Sequence, residues 1–242
     1  MARSYGLGFN EIQILHPDLD PWIPPPGTDL EIPTQWVLPP SRRHGIVINL
    51  PEMRLYRFYP AVQMVATYPV GIGDAETPTP EGDYRIVSRE VDPTWVIPQS
   101  LRAKYDVRAI PPGPDNPLGQ FWLGLSLEGY GIHGTDFPWC VGRMISYGCI
   151  RLYPEDIEPL YRDVPAGMPV EIVYEPVKIG FKEREIFVEI HPDVYGRFPD
   201  FSSYALQVLS EEVRLPDVFM DLFWAAVERS DGMPVAIGAL ED

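Results

Sequence analysis

Two short segments carry the residues best suited to covalent chemistry: Gly131-Ile132-His133-Gly134-Thr135 and Ser146-Tyr147-Gly148-Cys149-Ile150-Arg151-Leu152. Sixteen positions separate the histidine from the cysteine. A thiol attacks a carbonyl as the thiolate, so it needs a base nearby and open backbone around it. Gly148 removes the side chain that would obstruct that approach. The amides around Cys149 could donate to a tetrahedral oxyanion. In extended backbone, Arg151 projects to the same side as Cys149 and offers a planar fork for a carboxylate. Residue types alone leave a plainer alternative standing. Cysteine and histidine are both common in cores, as an inert thiol and a hydrogen-bonded imidazole. Arg151 by itself suits a surface ion pair with Glu155 or Asp156.

The remaining candidates are poorer. Cys140 has neither the preceding glycine nor the following arginine and reads as a bystander in the Trp139–Arg143 loop. Two thiols do not make a disulfide framework. The four histidines, His16, His44, His133 and His191, form no short ligand spacing with each other or with the cysteines. Neither a metal nor a cofactor is expected.

The elements that must position these residues are mostly strands. Residues 46–50, 53–59 and 63–70 are rich in β-branched and aromatic side chains, and so are 84–88, 121–125, 130–133 and 168–174. Leu50-Pro51-Glu52-Met53 suits a type I turn, which makes the first two a hairpin. One helix is expected from Pro154, with Glu155 and Asp156 in its first turn and Ile157, Leu160 and Tyr161 on its apolar face. Pro159 predicts that it is short or kinked. Beyond Tyr174 come a strand at 185–190 and helices near 202–213 and 217–228. Val218, Phe219, Leu222, Phe223 and Ala226 give the second of these an apolar face. Before residue 41 the pattern fits a short helix, a turn and a short strand.

Composition sets the outer bounds. The chain has 242 residues, 45% of them hydrophobic, enough for a packed core. Its 29 prolines oppose long helices and central parallel strands, so the fold should be mainly β. The net charge, 19 − 35 = −16, argues against nucleic acid or an anionic membrane surface as partner. No apolar run approaches the roughly 20 residues that span a bilayer. The first residues, Met1-Ala2-Arg3-Ser4, lack the apolar stretch of a signal peptide.

The two chemical segments resemble the L,D-transpeptidase catalytic domain of the YkuD type. That family's hallmark is His-Gly-(Thr/Ser), a spacer, then Ser-His-Gly-Cys-(Ile/Val)-Arg. The likeness extends over roughly residues 45–176. It takes in Gly71-Ile72-Gly73, Thr77-Pro78, Pro80-Glu81-Gly82, Pro93-Thr94-Trp95, Gly113-Pro114 and Asn116-Pro117-Leu118-Gly119. It implies a β-sandwich with one short helix after the cysteine. It also implies peptidoglycan stem peptides as substrate, Cys149 as nucleophile, His133 as base and the Gly134 carbonyl as the group that orients it. Ser146, the amides of Tyr147, Gly148 and Cys149, and Arg151 would bind the oxyanion and a substrate carboxylate. One departure stands out, since Tyr147 occupies the place of the family's second histidine and leaves His133 as the sole base.

Residues 5–40 resemble the second half of a LysM peptidoglycan-binding module, with His16-Pro17 in place of the usual Asn-Pro. The expected organisation is therefore a partial LysM-like module and linker at 1–41, a catalytic domain at 42–176 and an α/β extension at 177–242. A half-module suggests a natural chain that begins upstream, with a signal peptide and a periplasmic or otherwise extracytoplasmic site of action. The expected activity is 3→3 cross-linking through a thioester on tetrapeptide stems. L,D-carboxypeptidase and lipoprotein-anchoring activities share the same signature. An inert wall-binding protein is the alternative of another class.

Overall fold

The structure, a computed structural model, describes residues 1–240, with Ser100 described by its backbone alone. Contacts group the chain into two units. One comprises Met1–Phe9, Ser41–Ile48 and Met53–Val173, and the other Asn10–Pro40, Asn49–Glu52 and Tyr174–Asp242.

The first unit is built on strands β1 (Gly45–Asn49), β2 (Arg54–Tyr59), β3 (Met64–Pro69), β4 (Ile72–Gly73), β5 (Gly82–Val91), β6 (Trp95–Val96) and β7 (Ala109–Ile110). After these come β8 (Phe121–Leu125), β9 (Gly131–His133), β10 (Met144–Ser146), β11 (Ile150–Arg151) and β12 (Pro169–Val173). Eight of them form one sheet in the order β11-β9-β8-β5-β12-β1-β2-β3. The ten-residue β5 joins its two halves. Its start pairs with β12 and its end with β8, with a register shift between Ile86 and Ser88. The fold is mainly β, and every strand expected in this region is present within a few residues.

Imperfect alternation in β2 has a local cause. Arg54 and Arg57 are buried beside apolar neighbours. Arg54 donates to Thr67 Oγ1 at 3.1 Å. Arg57 pairs with Asp163 at 2.7 Å and lies over the Tyr59 ring. Partnered charges are tolerated inside, so polar residues here do not mark a solvent face.

Helix α1 spans Phe9–Leu15, and α2 spans Pro154–Asp163. As expected, α2 is short, ten residues, and it carries Pro159 inside it. The bond that Pro159 cannot donate would go to the carbonyl of Glu155, an exposed first-turn residue that water can reach. The apolar face seats Ile157 and Leu160 in the core.

In the second unit, residues 16–40 contain no strand, so the short strand expected before residue 41 is absent. Pro24, Pro25, Pro26, Pro33, Pro39 and Pro40 remove the donors a ladder needs. The Asp20 carboxylate instead accepts from the amides of Trp22 and Ile23. Strands β13 (Val177–Lys182), β14 (Glu185–Ile190) and β15 (Val235–Ala239) form a separate antiparallel sheet. Helices α3 (Phe201–Glu212) and α4 (Met220–Arg229) pack on it around Ile186, Val188, Leu209, Phe223 and Ile237. Phe219 and Leu222, expected on the apolar face, are exposed at 62% and 40%. Helix α4 starts at Met220, later than expected, which leaves Phe219 as its cap and turns Phe223, Ala226 and Val227 inward.

Candidate active site

Both chemical segments end on neighbouring strands. β11 lies parallel to β9, with Arg151 opposite His133 and Ile150 opposite Ile132. The Leu152 amide donates to the His133 carbonyl, and Gly71 exchanges two backbone bonds with Arg151. A Cβ on Gly71 would sit 2.6 Å from the Cys140 carbonyl, so only glycine lets these segments close up. β10 lies parallel to β4, and the Thr77 hydroxyl and Asp74 amide both donate to the Ser146 carbonyl. The Gly71-Ile72-Gly73 and Thr77-Pro78 blocks are thus the frame behind the cysteine turn.

That turn is set by Ser146, which is buried. Its hydroxyl donates to the Cys149 carbonyl at 2.6 Å and accepts from the Gly148 amide at 3.1 Å. Gly148 has φ +100°, and a Cβ there would lie 2.6 Å from the Tyr130 ring. This alters the oxyanion reading, because the Gly148 amide is already donated to Ser146. The amides of Tyr147 and Cys149 donate to no acceptor among the described residues and are the two that remain.

His133 is buried in β9, with Nδ1 2.6 Å from the Gly134 carbonyl. A carbonyl can only accept, so Nδ1 carries the proton and Nε2 the lone pair. Burial, helped by the charge of Arg151, holds the imidazole down to about 3, against the opposing pull of the Gly134 and Leu118 carbonyls. Burial likewise pushes the Cys149 thiol up, and a Gly131 backbone bond and Arg151 only partly offset it. The resting pair is therefore neutral thiol and neutral imidazole rather than an ion pair. The Cys149 thiol points at the Gly129 carbonyl, 3.6 Å away.

His133, Ser146, Tyr147, Cys149 and Arg151 line one cavity of about 290 Å³. Its far wall comes from Pro93, Trp95, Leu101 and Leu118. Asn116 ties that wall together. Its amide nitrogen donates to the Pro93 carbonyl at 2.8 Å and the Pro111 carbonyl at 3.2 Å, and its oxygen accepts from the Leu118 amide at 2.9 Å. Arg151 Nε is buried with no hydrogen-bond partner. Tyr147, 39% exposed, receives a bond from Lys104 Nζ at 3.2 Å.

Of the expected site residues, Gly134 and Gly148 are not part of the cavity wall; Gly134 acts on it through the imidazole and Gly148 through the cysteine turn. Cys140 is fully buried, and its thiol contacts Thr135 Oγ1 at 3.6 Å. Sequence reasoning missed Asn116, Lys104 and Trp122, whose ring stacks on His133. For Trp122 a signal existed, since the 121–125 and 130–133 strands form a hairpin that sets it opposite His133. A group of metal-ligating type lies elsewhere, where Glu52, Glu189 and His191 converge within 4.8 Å. Lys178 Nζ, 2.8 Å from Glu52 and 2.7 Å from Glu189, already supplies the positive charge there.

Several known proteins are similar to this chain. The probable L,D-transpeptidase YcfS of Escherichia coli (strain K12) is 35% identical over 211 residues, covering 83% of this chain and 66% of its own length. The probable L,D-transpeptidase ErfK/SrfK of the same organism is 33% identical over 258 residues, covering 98% of this chain and 81% of its own. The NMR structure of the catalytic domain from the E. faecium L,D-transpeptidase is 25% identical and covers 54% of this chain and 96% of that one, at a TM-score of 0.43. Residues 43–172 match the YkuD L,D-transpeptidase catalytic domain, and the chain belongs to that family.

Proposed function

We propose that the chain is a peptidoglycan L,D-transpeptidase that forms 3→3 cross-links on tetrapeptide stems through a thioester at Cys149. The observation that carries this reading is one cavity shared by the Cys149 thiol and a His133 whose tautomer puts its lone pair on Nε2. As sulfur bonds to the carbonyl carbon of the third stem residue, the thiol proton passes to His133 Nε2. The oxyanion takes the amides of Tyr147 and Cys149. Collapse breaks the bond to the terminal D-Ala, whose nitrogen leaves with the proton from His133. An amine of a neighbouring stem then attacks the thioester and gives its proton to His133, and the thiol is released. Arg151 binds a stem carboxylate.

Water or a lipoprotein lysine could take the acyl group instead, which would make the enzyme an L,D-carboxypeptidase or a lipoprotein-anchoring enzyme. The stem amine is the reading supported by the names of the relatives. A wall substrate implies action outside the cytoplasmic membrane. The partial LysM-like module at 1–41 as a glycan contact, and the division at 42–176 and 177–242, belong to the same proposal.

Incubation with tetrapeptide muropeptides separates the acceptors by product mass, giving dimers for transpeptidation and tripeptides for hydrolysis. A carbapenem adduct should form on the wild type and on Cys140→Ala but not on Cys149→Ala. The reverse pattern refutes the assignment, and wall binding without any adduct favours an inert binding protein.

A further inference from the structure

His133 has a neighbour for which the scheme above provides no task. Trp122 lies directly across the β8–β9 pair from it, the two residues in register. The rings stack, with centroids 5.6 Å apart and planes at 25°. Two glycines make room for the indole. A Cβ on Gly131 would lie 2.5 Å from two of its ring carbons, and one on Gly124 would lie 2.9 Å from its Nε1. Neither glycine has positive φ, so backbone conformation does not require glycine at either place. What a side chain there would meet is the indole itself, along with the Ser88 hydroxyl 2.2 Å from a Cβ on Gly124. Trp122 also lines the cavity that holds Cys149.

One hydrogen bond fixes one edge of an imidazole and leaves the ring free to tilt about that edge. A flat ring against its face removes the tilt and keeps water from that face. We propose that Trp122 is the positioning residue for His133, its indole seated between Gly124 and Gly131 so that the imidazole faces the thiol in one plane. This rests on the reading of His133 as the base. Trp122 touches neither substrate nor reacting atoms in that role. It acts through the imidazole, while the Gly134 carbonyl sets the tautomer.

The test uses the full chain and two independent readouts. Proton NMR follows the His133 ring signal, assigned by its loss in His133→Asn, across pH 4 to 8. Mass spectrometry follows the rate of carbapenem acylation at Cys149. In the wild type and in Trp122→Phe the ring should remain neutral down to about pH 4.5, with acylation within about threefold. Trp122→Ala should raise the midpoint by at least about one pH unit and slow acylation about 30- to 100-fold, the scale of a misplaced catalytic group. Gly131→Ala should reproduce both changes when Trp122 is present and add nothing in a Trp122→Ala background. Rescue by phenylalanine separates positioning from simple loss of fold. An unmoved midpoint in both Trp122→Ala and Gly131→Ala overturns the proposal, whatever the rate does. A moved midpoint with unchanged acylation overturns the reading of His133 as the base, and the proposal falls with it.

Discussion

A histidine buried neutral makes folding stability depend on acid, and His133 allows the size of that dependence to be worked out. Its imidazole titrates at about 3 in the folded chain, against 6.5 when unperturbed, chiefly because it is buried. Above pH 6.5 the ring is neutral in both states and contributes nothing. Between 6.5 and about 3 the unfolded chain binds a proton that the folded chain does not, so stability falls as pH falls. At about 1.4 kcal/mol per pH unit the ceiling is about 5 kcal/mol. At pH 5 the loss is about 2 kcal/mol, set almost wholly by the unfolded chain and nearly the same for any folded value below about 4. The perturbation is His133→Asn, which keeps an amide for the Gly134 carbonyl and removes the titration. Urea unfolding at about pH 8 and pH 5, read by hydrogen exchange in β8 and β9, measures the unit that holds the residue. The wild type should lose about 2 kcal/mol more than the variant between the two pH values, the carboxylates common to both cancelling in the difference. Equal losses to within about 0.5 kcal/mol would refute the buried neutral imidazole.

Two further outcomes follow from the same geometry. Ser146→Ala removes both bonds that shape the cysteine turn, so acylation should slow more than tenfold and urea unfolding should register a loss of about 1–3 kcal/mol. Asp156 is raised to about 6, by burial first and by the charge of Glu155 second. A raised carboxyl costs stability at neutral pH and regains it as pH falls through 6. Asp156→Asn should therefore stabilise the chain at pH 7 by about 1 kcal/mol, the shift discounted for partial exposure, and thermal melts should show the gain vanish near pH 4.

Long strands were legible because their side chains announce them. Residues 46–50 and 121–125 carry β-branched or aromatic residues in runs that only strands use well, and both are strands. The two- and three-residue strands β4, β6, β7, β10 and β11 have no period to read, yet β10 and β11 flank the cysteine. The cysteine and histidine stood out through their glycine and arginine neighbours, which are local in sequence. Asn116 and Lys104 did not, because their partners Pro93 and Tyr147 lie 23 and 43 residues away, whereas Trp122 could have been read from the 121–133 hairpin. The oxyanion reading was too generous for another reason. The Ser146 hydroxyl takes the Gly148 amide two residues on, a local serine turn that the residue types permit but do not require. In α2, Pro159 marks a short helix that continues past it because the lost bond falls at an exposed carbonyl.

The ammonium of Lys178 lies with Glu52 and Glu189, all three side chains almost fully buried. Glu52 and Lys178 are 126 residues apart in the chain. At about 5–20 residues per second, a ribosome releases Glu52 about 6–25 s before its lysine. Throughout that interval the carboxylate stays hydrated, since burying it alone would be prohibitive. The second unit thus cannot close around residues 49–52 until Lys178 has been made. A nascent chain stalled before residue 178 should leave this unit open to protease however well its early segments have begun to fold.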